Sequence, residues 1–105
     1  MNNKNITSSK ITPQAVEAEK AVLSAMMIDE GSAAEVMDIL RAECFYDSAN
    51  REIFSSIRKL FIKNTTIDLL TISDSINKDT LKKIGGKKYL AEISNKVSSS
   101  GNIET

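Results

Sequence analysis

Apolar and polar positions follow a helical period most clearly in the stretch 45–63. Ile53, Phe54, Ile57, Leu60 and Phe61 fall at i, i+1, i+4, i+7 and i+8, which is one stripe along a single side of a helix. The residues between them are mainly charged or small and polar. The pattern therefore predicts a central amphipathic helix around which the rest of the chain packs.

The residues before this stripe predict how the central helix begins. Asp47 or Ser48 can cap it, because a short side-chain oxygen accepts hydrogen bonds from the open amides of the first turn. Phe45 and Glu52 flank the cap and are placed to fix the entry angle. Cys44 lies beside Phe45 in a short apolar patch, and we expect a buried, inert thiol there.

The first half of the chain predicts two further helices. The pair Thr12-Pro13 can start a helix that is clearest from Val16 to Ile28. Ser32 is then expected to cap a shorter helix over about Ala33 to Leu40. The predicted inward positions are Val16, Ala18, Ala21, Leu23, Ala25, Met26 and Met27 in the first helix and Val36, Met37, Ile39 and Leu40 in the second. Glu17, Glu19 and Lys20 are predicted to lie outside.

The second half continues the helical pattern. The stretch 67–72 has the β-branched content of a strand, but a lone strand is unstable, so we prefer a helix over about Leu69 to Asn77, capped by Asp68. A helical turn over Thr80 to Ile84 is expected to end at Gly85-Gly86, where glycine tolerates the left-handed conformation. Another helix is expected over Lys87 to Lys96. The predicted inward positions are Leu69, Ile72, Ile76, Leu90, Ile93 and Val97.

These elements predict an all-α fold, a small orthogonal bundle of five to six short helices. We expect residues 1–12 to form a disordered tail, residues 13–97 a globular head, and residues 98–105 a linker in which Asn102 could cap a further helix. One hundred and five residues amount to a single domain. No apolar run has membrane-spanning length, and we expect a cytoplasmic protein.

Composition argues against catalysis by these residues. The chain contains no His and only one Cys, so the commonest general base, the commonest metal ligand and any intrachain disulfide are absent. Gly85-Gly86-Lys87-Lys88 does not match a phosphate-binding loop, because position 81 is Leu and position 88 is Lys. We therefore expect no catalytic residue, cofactor or metal site in this segment.

A lysine cluster is the best candidate for binding nucleic acid. Its members are Lys78, Lys82, Lys83, Lys87 and Lys88. Fourteen basic and fourteen acidic residues cancel over the whole chain, and the cluster contains no Arg, the usual base-reading side chain. A small DNA-binding regulator that uses Lys78–Lys88 is thus the alternative to a domain that binds other proteins.

Taken in order, several short motifs resemble the N-terminal domain of the DnaB family of replicative DNA helicases. They are 13–23 (PQAVEAEKAVL), 44–46 (CFY), 53–54 (IF), 67–72 (IDLLTI), 85–86 (GG) with 89–90 (YL), and 102–103 (NI). Ser24 and Asn50 depart from the family pattern, which usually has Gly and often His at these positions. Neither lies in the predicted central stripe.

The resemblance implies an all-helical head within a hexameric, ATP-driven helicase that unwinds DNA at the replication fork. In the family a helical hairpin follows the head, so residues 98–105 would be a linker leading to a truncated hairpin that begins near Asn102. It implies self-association in the parent hexamer, docking of primase and, in some members, contact with a helicase loader. ATP and Mg²⁺ would belong to the parent's motor domain, and DNA would be contacted mainly there.

On the head, we predict a partner-facing surface at Lys87, Lys88, Tyr89 and Glu92. The two lysines open a helix, where the helix dipole disfavours positive charge, so a partner would give them a role. Tyr is also well suited to anchor an interface. The alternative is that Tyr89 is a half-buried core residue with its hydroxyl in water.

Overall fold

The computed structural model of the protein describes residues 12–95. These residues form six α-helices and one 3₁₀ turn, and no strand occurs among them. The elements are α1 (Pro13–Ile28), α2 (Glu30–Ile39), the 3₁₀ turn (Ala42–Cys44), α3 (Ser48–Ile62), α4 (Leu69–Ser75), α5 (Lys78–Ile84) and α6 (Gly86–Ser94). The predicted all-α fold of short helices is confirmed.

Both predicted terminal segments lie largely outside the described residues. Of the predicted tail 1–12, only Thr12 is described, and its hydroxyl accepts a hydrogen bond of 3.1 Å from the Ala15 amide at the start of α1. Pro13 occupies the first turn, as the sequence predicted. Val97 and the linker 98–105 fall outside the described range.

Helix α3 is the central element of the fold, as its apolar stripe predicted. It packs against α1, the 3₁₀ turn, α4 and α5, and it buries Ile53, Phe54 and Ile57 completely. The Asp47 carboxylate caps it, accepting a hydrogen bond of 3.0 Å from the Asn50 amide. The Phe45 ring lies 4.8 Å from the Phe54 ring, so the residue before the cap packs onto the helix that it leads into.

Two predictions around α3 are wrong. Phe61, assigned to the buried stripe, is 37% exposed, because the buried part of the stripe ends at Leu60. Cys44 is exposed rather than buried. The 3₁₀ turn directs Phe45 into the core and leaves the neighbouring thiol on the surface.

The inward face of α1 is rotated from the predicted one. Lys20, predicted to lie outside, is buried, and Glu19 is half-buried, whereas Ala18 and Ala21 are exposed. The local pattern misplaced the face because alanine suits either side of a helix, and because Glu92, which pairs with Lys20, and Asn50, which pairs with Glu19, lie far away in sequence. Leu23 and Met26 are buried as predicted.

The cap of α2 is Asp29 rather than the predicted Ser32. The Asp29 carboxylate accepts hydrogen bonds from the Gly31 amide (3.2 Å) and the Ser32 hydroxyl (3.0 Å), and these bonds, chiefly that from Ser32, hold its pKa below the usual value. Asp29 also ends α1, so one residue separates the two helices. Ala33 is the buried contact of α2, and Ile39, predicted inward, is 77% exposed.

The last three helices follow the sequence prediction closely. Asp68 and Thr71 form a reciprocal capping box at the start of α4, so the β-branched stretch is helical. Gly85 ends α5 in the left-handed conformation with φ = 115°. Ile72, Leu90 and Ile93 are completely buried, and α6 packs on α1, α4 and α5.

Candidate partner interface

Helix α6 presents two exposed lysines at its start. Lys87 and Lys88 lie in the first turn, next to Gly85, which has no side chain to cap the helix. Positive charge is unfavourable at this end of a helix. Neither lysine forms an ion pair with another described residue, so both ammonium groups are available to an acidic partner.

Tyr89 lies behind these lysines and is anchored through its hydroxyl. The ring is half-buried, and the hydroxyl donates a hydrogen bond of 2.5 Å to Oδ1 of Asn50 in α3. Burial, followed by the negative charge of Asp47, raises the pKa of Tyr89 to about 12. Tyr89 is therefore half-buried, as the alternative prediction stated. Its hydroxyl, however, is hydrogen-bonded to Asn50 and not to water.

The Glu92 side chain pairs with a residue of α1 rather than with a lysine of its own helix. Lys88 and Glu92 are spaced i,i+4, which permits a pair on one helix, yet Glu92 Oε2 lies 2.6 Å from Nζ of Lys20. Nζ of Lys20 also lies 3.3 Å from Glu17 and 5.2 Å from the centre of the Tyr89 ring. The hydrogen bond to Glu92 raises the pKa of Lys20 above its usual value, despite the opposing effect of burial.

A polar network continues from Asn50 to the start of α3. The Asn50 side-chain amide donates a hydrogen bond of 2.9 Å to Glu19. The Glu19 carboxylate also accepts hydrogen bonds from the backbone amides of Tyr46 (2.7 Å) and Asp47 (3.4 Å). Side chains of α1, α3 and α6 are thereby joined through the buried Asn50, which fixes how α6 sits on the domain.

The structure brings together part of the predicted surface. Tyr89 and Glu92 both contact Lys20, while Lys87 and Lys88 project from the first turn of the same helix. The result is a rigid base carrying two available positive charges. Such an arrangement can hold an acidic partner, but it aligns no nucleophile with a base.

Sequence reasoning did not identify Lys20 and Asn50 as parts of this site, although a signal was present. Asn50 precedes Ile53 and Phe54 by three and four residues, so it lies on the same side of α3 as the apolar stripe, one turn before the stripe begins. Lys20 likewise precedes Leu23 by three residues on α1. A polar residue on an apolar stripe indicates a buried hydrogen-bonded group, because an unpaired one would be costly.

Residues 12–95 contain neither the strand and loop of a phosphate-binding motif nor a cluster of metal-ligating side chains. Gly85 and Gly86 join α5 to α6. A phosphate-binding loop follows a strand, and no strand precedes these glycines among residues 12–95. No group of three or more Asp, Glu, His or Cys side chains in this range could hold a metal. None of the described helices is both long and apolar enough to cross a membrane.

Residues 11–105 match the family model described as "DnaB-like helicase N terminal domain". Among curated proteins, the chain is 38% identical over 98 residues to the replicative DNA helicase DnaB of Rhodothermus marinus and 34% identical over 98 residues to that of Geobacillus stearothermophilus. Each match covers 92% of this chain. The chain spans 10% of the first relative's length and 22% of the second's.

The fold also resembles a solved structure, the crystal structure of the N-terminal domain of DnaB helicase from Mycobacterium tuberculosis. The TM-score is 0.72 at 27% sequence identity, and the match covers 76% of this chain and 59% of that one. Fold and sequence therefore lead to one family.

Proposed function

The chain belongs to the family of DnaB-like helicase N-terminal domains, and we propose that it is the scaffold domain of a replicative DNA helicase. In this role residues 13–97 form a head that contributes to ring assembly and docks primase and, where one exists, a helicase loader. The head performs no chemical step itself. It raises the local concentration of its partners near the DNA that the parent unwinds.

The observation that carries the docking part of this proposal is the construction of α6. Lys87 and Lys88 are exposed at an unfavourable helix end, while Tyr89 behind them is held by Asn50 and Lys20. A pre-ordered surface loses little conformational entropy on binding. We therefore assign Lys87, Lys88, Tyr89 and Glu92 to the primase-facing surface.

Unwinding itself is assigned to the parent protein. An ATP-dependent motor with its Mg²⁺ would lie outside these residues, since the chain spans only 10% and 22% of the lengths of the two relatives described above. DNA would be contacted mainly by that motor, and the parent would act in the cytoplasm.

Primase affinity of surface variants tests the proposal. Isothermal titration of the 105-residue chain with primase from the same organism would compare wild type, Lys87→Glu/Lys88→Glu and Tyr89→Ala. We expect charge reversal to weaken binding by at least about tenfold, because two attractive contacts become repulsive. Tyr89→Phe removes only the hydroxyl and serves as the control for loss of the ring.

A matched charge control is available on α5. Lys82→Glu/Lys83→Glu changes the net charge equally but lies on a helix end where lysine is favourable anyway. An affinity left unchanged by the α6 variants, or lowered equally by the α5 pair, would remove primase docking from this surface.

A small DNA-binding regulator using Lys78–Lys88 remains the alternative function. All five lysines of the cluster are exposed. Appreciable duplex affinity that falls steeply with salt would support this alternative. A mobility-shift assay at low salt that shows no binding would remove it.

A further inference from the structure

Several serine hydroxyls on α3 and α4 have no hydrogen-bond partner in the described part of the chain. A serine within a helix commonly bonds to a backbone carbonyl one turn back, as Ser73 and Ser94 do here, each at 3.0 Å. Ser55, Ser56 and Ser75 form no such bond, and none of their hydroxyls is paired with another described residue. These three hydroxyls are therefore available to another molecule.

The three serines line one cavity between α3 and the α4–α5 segment. Its volume is about 220 Å³. The Thr80 hydroxyl in its wall is also unpaired within the described range. Oδ1 of Asn77 accepts hydrogen bonds from the backbone amides of Asp79 (2.8 Å) and Thr80 (3.4 Å), which leaves its Nδ2 as an unpaired donor. Glu52 adds a carboxylate, and Ile76 is the one apolar side chain among the lining residues. The cavity thus concentrates donors and acceptors in a small space.

Ser56 is the most deeply placed of these polar groups. It is 3% exposed, and its hydroxyl has no partner among the described residues. Buried hydroxyls in native proteins are nearly always paired, because an unpaired one is unfavourable. Rotation of this small side chain between staggered positions can bring the hydroxyl to a ligand in the cavity.

A second cavity, of about 360 Å³, adjoins the first at Lys59 and Ser75, which line both. Lys63 lies one helical turn beyond Lys59, and neither ammonium group forms an ion pair within residues 12–95. Asp74 is the only acidic residue that lines this cavity. Two positive charges against one negative charge suit an anionic group such as a phosphate. Lysine is favourable at the end of α3 in any case, so the unpaired hydroxyls are the stronger indication of a site.

The two cavities form one depression, which we call the α3 groove. Their joint volume lies within the range of about 300–1,000 Å³ that is typical of small-molecule sites. Such sites are usually lined by apolar and aromatic side chains, whereas this groove is lined mainly by polar ones. It therefore suits a ligand that carries many hydroxyl groups and a negative charge.

We propose that the α3 groove binds a sugar phosphate. The sugar hydroxyls lie in the serine-lined cavity, where each can both donate and accept a hydrogen bond, and the phosphate lies against Lys59 and Lys63. A neutral sugar or inorganic phosphate would use one end of the groove and leave the other to water. This site is separate from the surface on α6, and the proposal does not depend on the scaffold function.

Amide NMR titrations of the isotope-labelled 105-residue chain test the site with three probes: glucose 6-phosphate, glucose and inorganic phosphate. We expect glucose 6-phosphate to shift the signals of residues that line the α3 groove. It should bind at least about tenfold more tightly than either glucose or inorganic phosphate, because the linked groups engage both ends together.

Ser55→Ala/Ser75→Ala removes two unpaired hydroxyls. The affinity for glucose 6-phosphate should fall by about tenfold, while the affinity for inorganic phosphate and the midpoint of urea denaturation stay at their wild-type values. Ser94→Ala is the matched control, because it removes a half-buried serine hydroxyl from α6, outside the groove, and it should leave both affinities unchanged.

Lys59→Gln/Lys63→Gln should lower the affinities for glucose 6-phosphate and inorganic phosphate alike by about tenfold. Lys87→Gln/Lys88→Gln changes the net charge equally outside the groove and should change neither affinity, so this proposal and the primase-docking proposal fail separately. Glucose 6-phosphate that binds no more tightly than inorganic phosphate would overturn the inference, since the groove would then attract an anion only. Signals that shift elsewhere in the chain, or control variants that weaken binding as much as the groove variants, would overturn it as well.

Discussion

The Tyr89 hydroxyl and the Asn50 side chain form a 2.5 Å hydrogen bond that joins α6 to the first turn of α3. Asn50 is completely buried, and its amide group donates in turn to Glu19. The side-chain carbonyl of Asn50 is therefore hydrogen-bonded to Tyr89 on α6, and its side-chain amide to Glu19 on α1. Asn50 thereby connects α6, which carries the proposed partner surface, to both α3 and α1.

Removing the Tyr89 hydroxyl should destabilise the domain. In Tyr89→Phe the buried Asn50 carbonyl loses its partner, and we expect the free energy of unfolding to fall by about 1–3 kcal/mol. Urea denaturation measures the change. Tyr46→Phe is the control, because Tyr46 is 68% exposed, and it should change stability by less than about 0.5 kcal/mol. Equal effects of the two substitutions would contradict the hydrogen bond.

Alkaline pH should weaken the same region. The folded-state pKa of Tyr89, about 12, lies above the value of about 10 for an unfolded chain, so its contribution is complete below pH 10 and is lost as the pH rises through 12. The raised pKa of Lys20 acts in the same direction above 10.5. Denaturation of Tyr46→Phe should show this fall, whereas in Tyr89→Phe it should be smaller. If the free energy of unfolding fell identically with pH in the two variants, the assignment of this alkaline effect to Tyr89 would be wrong.

The ion pair between Lys20 and Glu92 should respond asymmetrically to substitution. Glu92→Gln leaves the buried Lys20 ammonium with Glu17 as its remaining carboxylate and should cost about 1–2 kcal/mol. Lys20→Met removes the buried charge but keeps a long apolar stem, and it should change stability by less than about 1 kcal/mol. Thermal denaturation of both variants decides the matter: a larger loss for Lys20→Met would show that the charge itself is strongly stabilising.

The corner between α5 and α6 should require glycine at position 85. A Cβ added to Gly85, at φ = 115°, would lie 2.9 Å from Cβ of Tyr89, so strain and a steric contact combine. We expect Gly85→Ala to cost about 2–3 kcal/mol. Gly86 also has a positive φ, 69°, but has open space around it, so Gly86→Ala should cost only about 1 kcal/mol. Chemical denaturation of the pair separates the steric effect from the backbone strain.

Sequence alone predicted the parts of this fold that depend on neighbouring residues. The stripe of α3, the Asp68 cap and the Gly85 helix end each need only a period or a short-range hydrogen bond. Where two capping residues stood close together, as Asp29 and Ser32 do, the pattern did not separate them. The structure shows them bonded to each other.

The candidate site depends on contacts that no local pattern contains. Lys20 meets Glu92 across 72 positions of the chain, and Asn50 meets Tyr89 across 39. The sequence could place Tyr89 and Glu92 on one helix, but it could not show that both side chains contact Lys20. Burial of a charged residue is tolerated only when the charge is paired. Because the partner of Lys20 on α6 is distant in sequence, the pattern of α1 alone assigned Lys20 to the wrong face.

Asp29 both ends α1 and caps α2, so a single residue makes the turn between them. Inserting one residue at this corner would rotate α2 by about 100° about its axis and carry Ala33 away from α1. The six-residue connection 63–68 could absorb the same insertion as a wider loop. Changes in chain length between α1 and α2 therefore act on the fold as sharply as changes of side chain.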